Sequence, residues 1–334
     1  MYRHNVKEAI GTLRLGAPMS EGSLCILPLE SATKAKARYV LLDQAISRGT
    51  LTITEVSEAG SVPYLQAVNK GPWPVLIFDG EEVVGAKQNR IANATILVGV
   101  GKTVLPVSCV EQGRWSHRTH AFGSGTYASH PSLRLAKERQ VRERSMTEAR
   151  RREADARSAG PQAEVQSVRA QRFMADQGKV WDEVERTSRI LGSDSPTMAM
   201  ADAYETGKRD LDNILRAFES SLPGEAVATL VFVGGEFVCL DVLQPAKRFA
   251  HLYPKLLRGY GLEALLQGGA TPQDFDPESS ALRLFAEIAG ARVEEQPAAD
   301  LGYDLRLETK RVSGSALVWQ DELIQLSVFP QVAV

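Results

Sequence analysis

The stretch PVLIFDGEEVVGAKQNRIANATILVGVGKTVLPVSCVEQGRW, residues 74–115, alternates apolar runs with the densest group of polar residues in the chain. Its first apolar run, residues 75–78, has the composition of a buried strand. Asp79 and Gly80 follow this run, and both residue types tolerate the positive φ angles of a type I′ turn. The spacing predicts a β-hairpin in which the run pairs with a strand that starts at Glu81.

Two later segments have the same arrangement of apolar runs around a two-residue turn. They are LVFVGGEFVCL at 230–240 and ALVWQDELIQLSV at 316–328. Three such hairpins, with helical patterns between them, predict an α+β fold built on antiparallel sheet. We expect an antiparallel β-rich N-terminal region over residues 1–117, a loop and central helical segment over 118–221, and a smaller α/β C-terminal region over 222–334 that packs as one unit with the first.

The middle of the chain changes composition abruptly. Residues 113–131 have almost no hydrophobic periodicity and are rich in Gly, Ser, Thr and His, which predicts a long surface loop. Residues 132–157 are rich in helix formers and carry nine basic and five acidic side chains. Because the acids are interspersed and no aromatic residue is present, this helix is more typical of a solvated or partner-binding arm than of a nucleic-acid contact.

The overall composition is that of an ordinary globular protein. The chain has 334 residues, 43% of them hydrophobic and 24% charged, and its net charge is -2. This charge gives no general attraction to nucleic acid or to an anionic membrane. No apolar run is long enough to cross a bilayer, and the first residues lack the apolar core of a secretory signal. We therefore predict a cytoplasmic protein with neither a nucleic acid nor a membrane as its partner.

The polar residues after the first turn are candidates for a site. In an extended strand alternate side chains share a face, so these residues should form two polar rows. The rows are Glu82, Gln88 and Arg90 on one face, and Glu81, Lys87 and Asn89 on the other. Glu111 should share a face with Cys109 on a later strand, which leads into Arg114 and Trp115. The alternative is a solvated sheet face whose charges pair across strands.

If one polar row lines a cavity, its residue types suit an anionic ligand. Lys87, Arg90 and Arg114 are expected to hold a phosphate or carboxylate, the arginines by a bidentate fork. Glu82 and Glu111 are the candidate catalytic carboxylates, and together with Glu81 they are also candidates to accept ribose hydroxyls. The remaining ligand-binding candidates, which would read or stack on a base, are Gln88, Asn89 and Trp115.

Cysteine and histidine offer weaker candidates. The three cysteines lie apart without CxxC spacing, which indicates neither a disulfide framework nor a cysteine zinc site. Cys109 could act as a nucleophile only with a lowered pKa and a nearby base, and its apolar strand setting favours a core role. His117, His120 and His130 follow Glu111, but their spacing matches no strict zinc pattern. We predict a surface loop with incidental histidines and no metal site.

Several motifs together resemble the bacterial ADP-ribosylglycohydrolase and rhodanese-phosphatase-associated protein family. The resemblance spans roughly the first four fifths of the chain and leaves out the histidine-rich loop. It implies an association with enzymes that process ADP-ribose and related NAD-derived nucleotides, and it supplies no catalytic residue. The motifs are GEEVVGAKQNRI (80–91), PVSCVEQGRW (106–115), QGKVWDEV (177–184), SPT (195–197) with DAYE (202–205), and YPKLLRGYGLEAL (253–265).

Two functions of different class fit these features. The first is a small-molecule domain that binds, and hydrolyses or transfers, an ADP-ribose-like or other NAD-derived phosphorylated nucleotide. The second is a non-catalytic scaffold whose polar strands and basic helix contact a protein partner. The first requires Glu82, Lys87 or Arg90 to lie beside Glu111 and Arg114 in one concave site. The sequence identifies no cofactor and does not define the oligomeric state.

Overall fold

The computed structural model describes residues 2–159, 166–218 and 222–331. The strands within these ranges are β1 (Leu13–Leu15), β2 (Met19–Glu21), β3 (Leu24–Ser31), β4 (Val40–Leu41), β5 (Leu51–Glu55), β6 (Tyr64–Asn69), β7 (Val75–Ile77), β8 (Glu81–Gly85), β9 (Arg90–Ala92), β10 (Ile96–Val98), β11 (Gly101–Cys109), β12 (Phe122–Ala128), β13 (Ala226–Val233), β14 (Glu236–Leu243), β15 (Arg292–Pro297), β16 (Tyr303–Glu308), β17 (Val312–Trp319) and β18 (Glu322–Pro330). The helices are α1 (Arg3–Thr12), α2 (Leu42–Ser47), α3 (Pro131–Ala159), α4 (Gln166–Gln171), α5 (Gln177–Leu191), α6 (Met200–Thr206), α7 (Lys208–Leu215), α8 (Ala246–Gln267) and α9 (Pro277–Ala289).

The larger sheet brings the two ends of the chain together. It has nine strands, in the order β1-β3-β13-β14-β18-β17-β16-β15, with β2 paired to β3. Apolar side chains of α1 and α9 pack on one face of this sheet, and those of α8 pack on the other. Because both faces of the central strands are covered, β13 and β18 are buried along almost their whole length. This burial explains their unbroken apolar runs.

A second group of strands closes into a barrel, with the strand order β11-β6-β5-β12-β8-β9 and a return pairing of β9 with β11. In β5, Leu51 and Ile53 are buried while Thr52 between them is exposed. Alternation therefore directs the apolar side chains inward, where they join Leu65 and Leu105 in one cluster. The three remaining strands form a small sheet in the order β10-β7-β4.

The predicted hairpin around Asp79 and Gly80 is wrong, although the turn itself forms. Glu81 N donates to Phe78 O at 3.0 Å across the turn. However, β7 pairs with β10 and β4, whereas β8 pairs with β9 and β12. The turn therefore carries the chain from the small sheet into the barrel. Ser129 favours this direction, because its N and Oγ both donate to Gly80 O at 2.9 Å.

The other two predicted hairpins are confirmed. Strand β13 pairs with β14, and β17 pairs with β18, each in antiparallel register. At the β17–β18 turn, Gln320 and Asp321 adopt φ angles of 54° and 62°, as a type I′ turn requires. In both hairpins the chain stays in the larger sheet on the two sides of the turn.

The loop predicted over residues 113–131 is only partly a loop, because it contains β12. Phe122 of this strand is buried and pairs with Ile53 and with Gly85, which closes the barrel. The strand escapes a periodicity search because Gly125 must lie against β8. A Cβ atom there would be 2.8 Å from Glu82 Cβ and 2.9 Å from Glu82 O. Because the two backbones approach closely, this position carries glycine and adds no apolar side chain to the pattern.

The predicted α+β class is confirmed, with strands β1 to β12 concentrated in the N-terminal part of the chain. The division into three regions stays an interpretation, and the pairing of β3 with β13 ties the first region to the third. No helix in the described ranges has the length and apolar character needed to cross a bilayer.

Helix α3 forms where a helix was predicted, but its first turns are buried and not solvated as predicted. Arg134 and Lys137 are fully buried there, between the barrel and the larger sheet. Nη1 and Nη2 of Arg134 each donate to the Asp241 carboxylate at 2.7 Å, and its Nε donates to Asp79 at 3.2 Å. Lys137 also pairs with Asp79. We call these four residues the Arg134 cluster. The interpretation as an arm also depends on side chains 148–157, which lie outside the described residues.

Candidate functional site at one end of the barrel

The polar stretch after Glu81 is not one continuous strand. Strand β8 ends at Gly85 and β9 begins at Arg90, and the chain turns between them with φ angles of 121° at Gly85 and 38° at Ala86. The alternation expected across this stretch is therefore wrong. The turn brings Asn89 back to β8, where its Nδ2 donates to Glu82 Oε1 at 3.2 Å.

This turn is joined to the EQGRW segment by a buried chain of hydrogen bonds. Asn89 Oδ1 accepts from Arg114 Nη2 at 3.2 Å, and Arg114 Nε donates to Glu111 Oε1 at 2.8 Å. Glu82, Asn89, Arg114 and Glu111 are all buried. The structure thus links Glu82 through Asn89 to Arg114 and Glu111. We call these four residues the buried polar chain.

Glu111 and Arg114 are already fully engaged within the protein. Besides Glu111, Arg114 donates to the carbonyl oxygens of Ala86 and Ser116 at 2.7 and 2.9 Å. Glu111 also accepts from Asn89 N at 3.0 Å. Burial favours the neutral acid, but the hydrogen bonds from Arg114 and Asn89 outweigh it and hold the pKa of Glu111 below its ordinary value. This ion pair anchors the two turns to each other.

Glu82 has the opposite character. Complete burial raises its pKa to about 8, against a smaller lowering effect of the hydrogen bond from Asn89. The negative charge of Glu111 adds to the increase. Glu82 is therefore largely protonated near neutral pH, while Glu111 is ionised. Two carboxyl groups with separated pKa values are typical of acid and base pairs, but Glu111 has no free position for a base role.

The raised pKa of Glu82 predicts how stability changes with pH. A folded-state value near 8, above the ordinary 4.5, means that this group favours folding most at low pH and loses that contribution as pH rises toward 8. Glu82→Gln, which keeps a neutral acceptor for Asn89, should match the wild type at pH 4.5. At pH 8.5 we expect it to be more stable by at least about 1 kcal/mol. Urea unfolding at both pH values measures this difference.

An exposed position gives the control for that experiment. Glu236→Gln removes a carboxylate from the exposed start of β14 and should follow the wild type at both pH values. An equal response of Glu82→Gln and Glu236→Gln would contradict a raised pKa at Glu82.

Arg90 lies inside the barrel end and is 0% exposed. It pairs with Val83 and Cys109 and alternates with Ala92, which belongs to the buried barrel cluster. Its Nη1 makes one long hydrogen bond, 3.4 Å, to Asn89 O. Among the described residues, its Nε and Nη2 have no hydrogen-bond partner. A buried guanidinium with this much free donor capacity is costly unless something else pairs with it.

The barrel end is covered by an aromatic ring and a short loop. Trp115 is 48% exposed, and its ring centre lies 5.8 Å from the Arg90 guanidinium and 5.2 Å from Lys87 Nζ. Lys87 Nζ donates to the carbonyl oxygens of Glu58 and Ala59 at 2.7 Å each. Lys87 therefore ties the loop after β5 across the barrel end. The set formed by Glu55, Lys87, Arg90, Cys109 and Trp115 is called the barrel-end cluster.

The remaining predicted site residues lie outside this cluster. Glu81 accepts from Lys255 Nζ and from Phe78 N, both at 2.8 Å, so it is directed toward α8. Gln88 Nε2 donates to Glu111 O at 3.0 Å and thereby supports the buried polar chain. The structure thus separates the predicted residues into a structural chain and a barrel-end cluster.

Cys109 belongs to the barrel-end cluster as a buried thiol. Burial raises its pKa, and the nearby Arg90 only partly opposes that effect. The neutral thiol suits the core role that the sequence favours. Its backbone is held by Gln177, whose side chain accepts from Cys109 N at 2.7 Å and donates to Cys109 O at 2.8 Å. Trp181, four residues along α5, faces the same thiol.

Sequence reasoning missed Glu55 and Gln177. Glu55 ends β5 on the same face as Leu51 and Ile53, so its strand alternation was a signal that a carboxylate enters the barrel. Gln177 begins the motif QGKVWDEV, but only the packing of α5 on β11 shows that its side chain holds Cys109.

The three histidines after Glu111 do not gather. His117 and His120 are exposed, whereas His130 is buried and its Nε2 lies 3.2 Å from Thr187 Oγ1 and 3.5 Å from Glu183. Within residues 2–159, 166–218 and 222–331, no group of three His, Cys, Asp or Glu side chains is arranged to hold a metal ion.

The fold and site define an α+β protein in which a closed six-stranded barrel adjoins a nine-stranded sheet. The barrel ends in a buried arginine whose Nε and Nη2 have no hydrogen-bond partner among the described residues. The chain belongs to the family described as ARG and Rhodanese-Phosphatase-superfamily-associated Protein domain, whose model matches residues 12–329. The match runs through the histidine-containing loop and into the last strand, so it extends beyond the four fifths predicted from the motifs. Comparison with curated proteins and with solved structures found no match.

Proposed function

We propose that the barrel-end cluster binds a phosphorylated small molecule of the nucleotide type, with ADP-ribose as the first candidate. The observation that carries this proposal is Arg90, which is fully buried and has unpartnered Nε and Nη2 atoms among the described residues. These two atoms form one edge of the guanidinium fork, which matches two oxygens of a phosphate. A bound phosphate would supply the charge and acceptors that Arg90 otherwise lacks.

Lys87 and Trp115 support a ligand larger than a free phosphate. Lys87 adds a second positive charge close to the same ring as Arg90. Trp115 has an exposed ring on which a base can stack. An arriving phosphate would replace the carbonyl oxygens of Glu58 and Ala59 as partners of Lys87, which would release the loop over Arg90. Lys87 would therefore act both in opening the loop and in holding the phosphate.

The choice of ADP-ribose rests on the family resemblance together with the residue types of the cluster. The resemblance associates the chain with enzymes that process ADP-ribose and other NAD-derived nucleotides. ADP-ribose carries a diphosphate for the two cations and an adenine for the tryptophan. The scaffold alternative, in contrast, gives no role to a free guanidinium edge inside the barrel.

The geometry supports binding better than hydrolysis or transfer. Glu82 is the residue before Val83 in β8, so the two side chains point to opposite faces of the strand. Val83 packs inside the barrel and pairs with Arg90, so Glu82 is directed away from the face that carries Arg90. The oxygens of Glu111 are occupied by Arg114 and Asn89. Neither predicted catalytic carboxylate is therefore free beside the proposed ligand.

Calorimetric titration with ADP-ribose tests this function, and two tryptophans supply a matched pair of variants. Trp115→Ala should weaken binding about 5- to 150-fold, because stacking of one base on an aromatic side chain contributes about 1–3 kcal/mol. Trp73 is 43% exposed and has Arg38 5.7 Å from its ring centre. Trp73→Ala should leave the affinity unchanged.

Three outcomes would count against the proposal. The wild type could fail to bind ADP-ribose, NAD and AMP alike, which would favour the scaffold. Trp73→Ala could lower the affinity as much as Trp115→Ala does, or Trp115→Ala could bind normally. Either result would place the ligand away from the barrel end.

A further inference from the structure

Glu55, like Arg90, carries buried polar atoms at the barrel end that have no hydrogen-bond partner in the part of the chain that the structure describes. Its Oε1 and Oε2 atoms are both buried, and neither has a hydrogen-bond partner among the described residues. An isolated carboxylate in such a place is costly, because each oxygen has lost its water without gaining a donor. Two free acceptor atoms on one carboxylate suit a ligand that offers two donors side by side.

The position of Glu55 relative to the rest of the cluster is defined by the covering loop. A Cβ atom at Gly60 would lie 3.4 Å from Glu55 Oε2, 3.3 Å from Trp115 Cζ2 and 3.2 Å from Lys87 Cδ. Gly60 thus lies where three side chains of the cluster meet. Its φ angle of 78° also requires glycine, so the loop is fitted closely over Glu55.

Glu55 and Arg90 are close enough for the carboxylate to raise the pKa of the guanidinium, although burial is the larger effect and lowers it. They form neither a hydrogen bond nor an ion pair within the described residues, since Arg90 Nε and Nη2 and both Glu55 oxygens are unpartnered. A ligand group placed between them must therefore donate hydrogen bonds to Glu55 and present negatively charged acceptors to Arg90. A sugar phosphate has both features.

We propose that Glu55 accepts hydrogen bonds from the ribose 2′- and 3′-hydroxyls of the bound nucleotide and makes the site specific for ribonucleotides. This inference rests on the proposed function, because it places the phosphate on Arg90 and the base on Trp115. A carboxylate on a ribose diol is a common solution to nucleotide recognition. Two vicinal hydroxyls offer one donor to each of the two carboxylate oxygens of Glu55.

The test compares ADP with 2′,3′-dideoxy-ADP by calorimetric titration against the wild type and Glu55→Gln. The wild type should bind ADP at least about tenfold more tightly, because hydrogen bonds to a charged acceptor are stronger than neutral ones. In Glu55→Gln this ratio should fall to roughly threefold or less, since the charge is lost while the shape is kept. Glu236→Gln, at the exposed start of β14 and outside the cluster, should retain the wild-type ratio.

The outcomes separate this inference from the proposed function. If the wild type binds both nucleotides equally, the ribose role of Glu55 is wrong while nucleotide binding stands. If Glu55→Gln is folded by circular dichroism and still discriminates tenfold, the role belongs to another residue. If the wild type binds neither nucleotide nor ADP-ribose, the proposed function and this inference both fail.

Discussion

Replacing Asp241 with alanine is expected to lower the free energy of unfolding by about 3–5 kcal/mol. Asp241 is completely buried and accepts from both Nη atoms of Arg134 at 2.7 Å, from Tyr260 Oη at 2.8 Å and from Ser327 Oγ at 2.7 Å. Its removal leaves the Arg134 charge without its main partner in a dry environment. Urea unfolding followed by circular dichroism measures the loss.

The reason for so large an effect is the position of the Arg134 cluster between two parts of the fold. Asp241 belongs to β14 of the larger sheet, whereas Asp79 belongs to the turn that leads into the barrel. Arg134 of α3 therefore joins the larger sheet to the turn that leads into the barrel. A buried ion pair adds little over a well-packed apolar pair, but breaking it by removing one partner is strongly destabilising.

Two further variants control this prediction. Asp210→Ala removes a carboxylate that is 62% exposed on α7 and should change the free energy of unfolding by less than about 0.5 kcal/mol. The double variant Arg134→Met with Asp241→Leu removes both charges and should recover much of the loss. A loss below about 1 kcal/mol for Asp241→Ala would mean that Arg134 does not depend on this partner.

Arg90→Met is expected to abolish ADP-ribose binding while leaving stability nearly unchanged. The loss of the guanidinium should weaken binding by at least about 30-fold, since truncating one partner of a buried charge pair costs about 2–5 kcal/mol. The fold should lose little, because Arg90 makes only one 3.4 Å hydrogen bond to Asn89 O. Relief of the buried charge offsets the lost attraction to Glu55. Calorimetric titration and urea unfolding measure the two effects separately.

Arg114 is the matched control for Arg90, because both are buried arginines at the same end of the barrel. Arg114 makes short hydrogen bonds to Glu111 and to the carbonyl oxygens of Ala86 and Ser116. Arg114→Met should therefore cost about 3–5 kcal/mol of stability. If Arg90→Met proves as destabilising as Arg114→Met and the folded fraction still binds ADP-ribose, Arg90 is a structural residue and the proposed site is wrong.

The sequence could predict the parts of the site that are local in the chain. Glu82, Asn89, Glu111 and Arg114 come from two short segments, and their polar character in an apolar setting is visible in the residues themselves. The sequence could not show that Asn89 joins Glu82 to Arg114, because that contact depends on where the chain turns at Gly85. Their roles as catalytic or ligand-binding residues stay predictions, and the geometry gives them a structural role.

What the sequence by itself determined was the α+β class, the helix that begins near residue 132 and the two hairpins whose strands pair directly across a two-residue turn. Strand alternation and turn residues act over a few positions, so they are readable without a fold. Only the tertiary structure decided that β7 and β8 pair with different strands after Gly80, that β12 completes a barrel, and that Glu55 lies near enough to Arg90 to affect its pKa. These outcomes depend on contacts between distant residues, such as Ser129 with Gly80, whose free energy no local pattern contains.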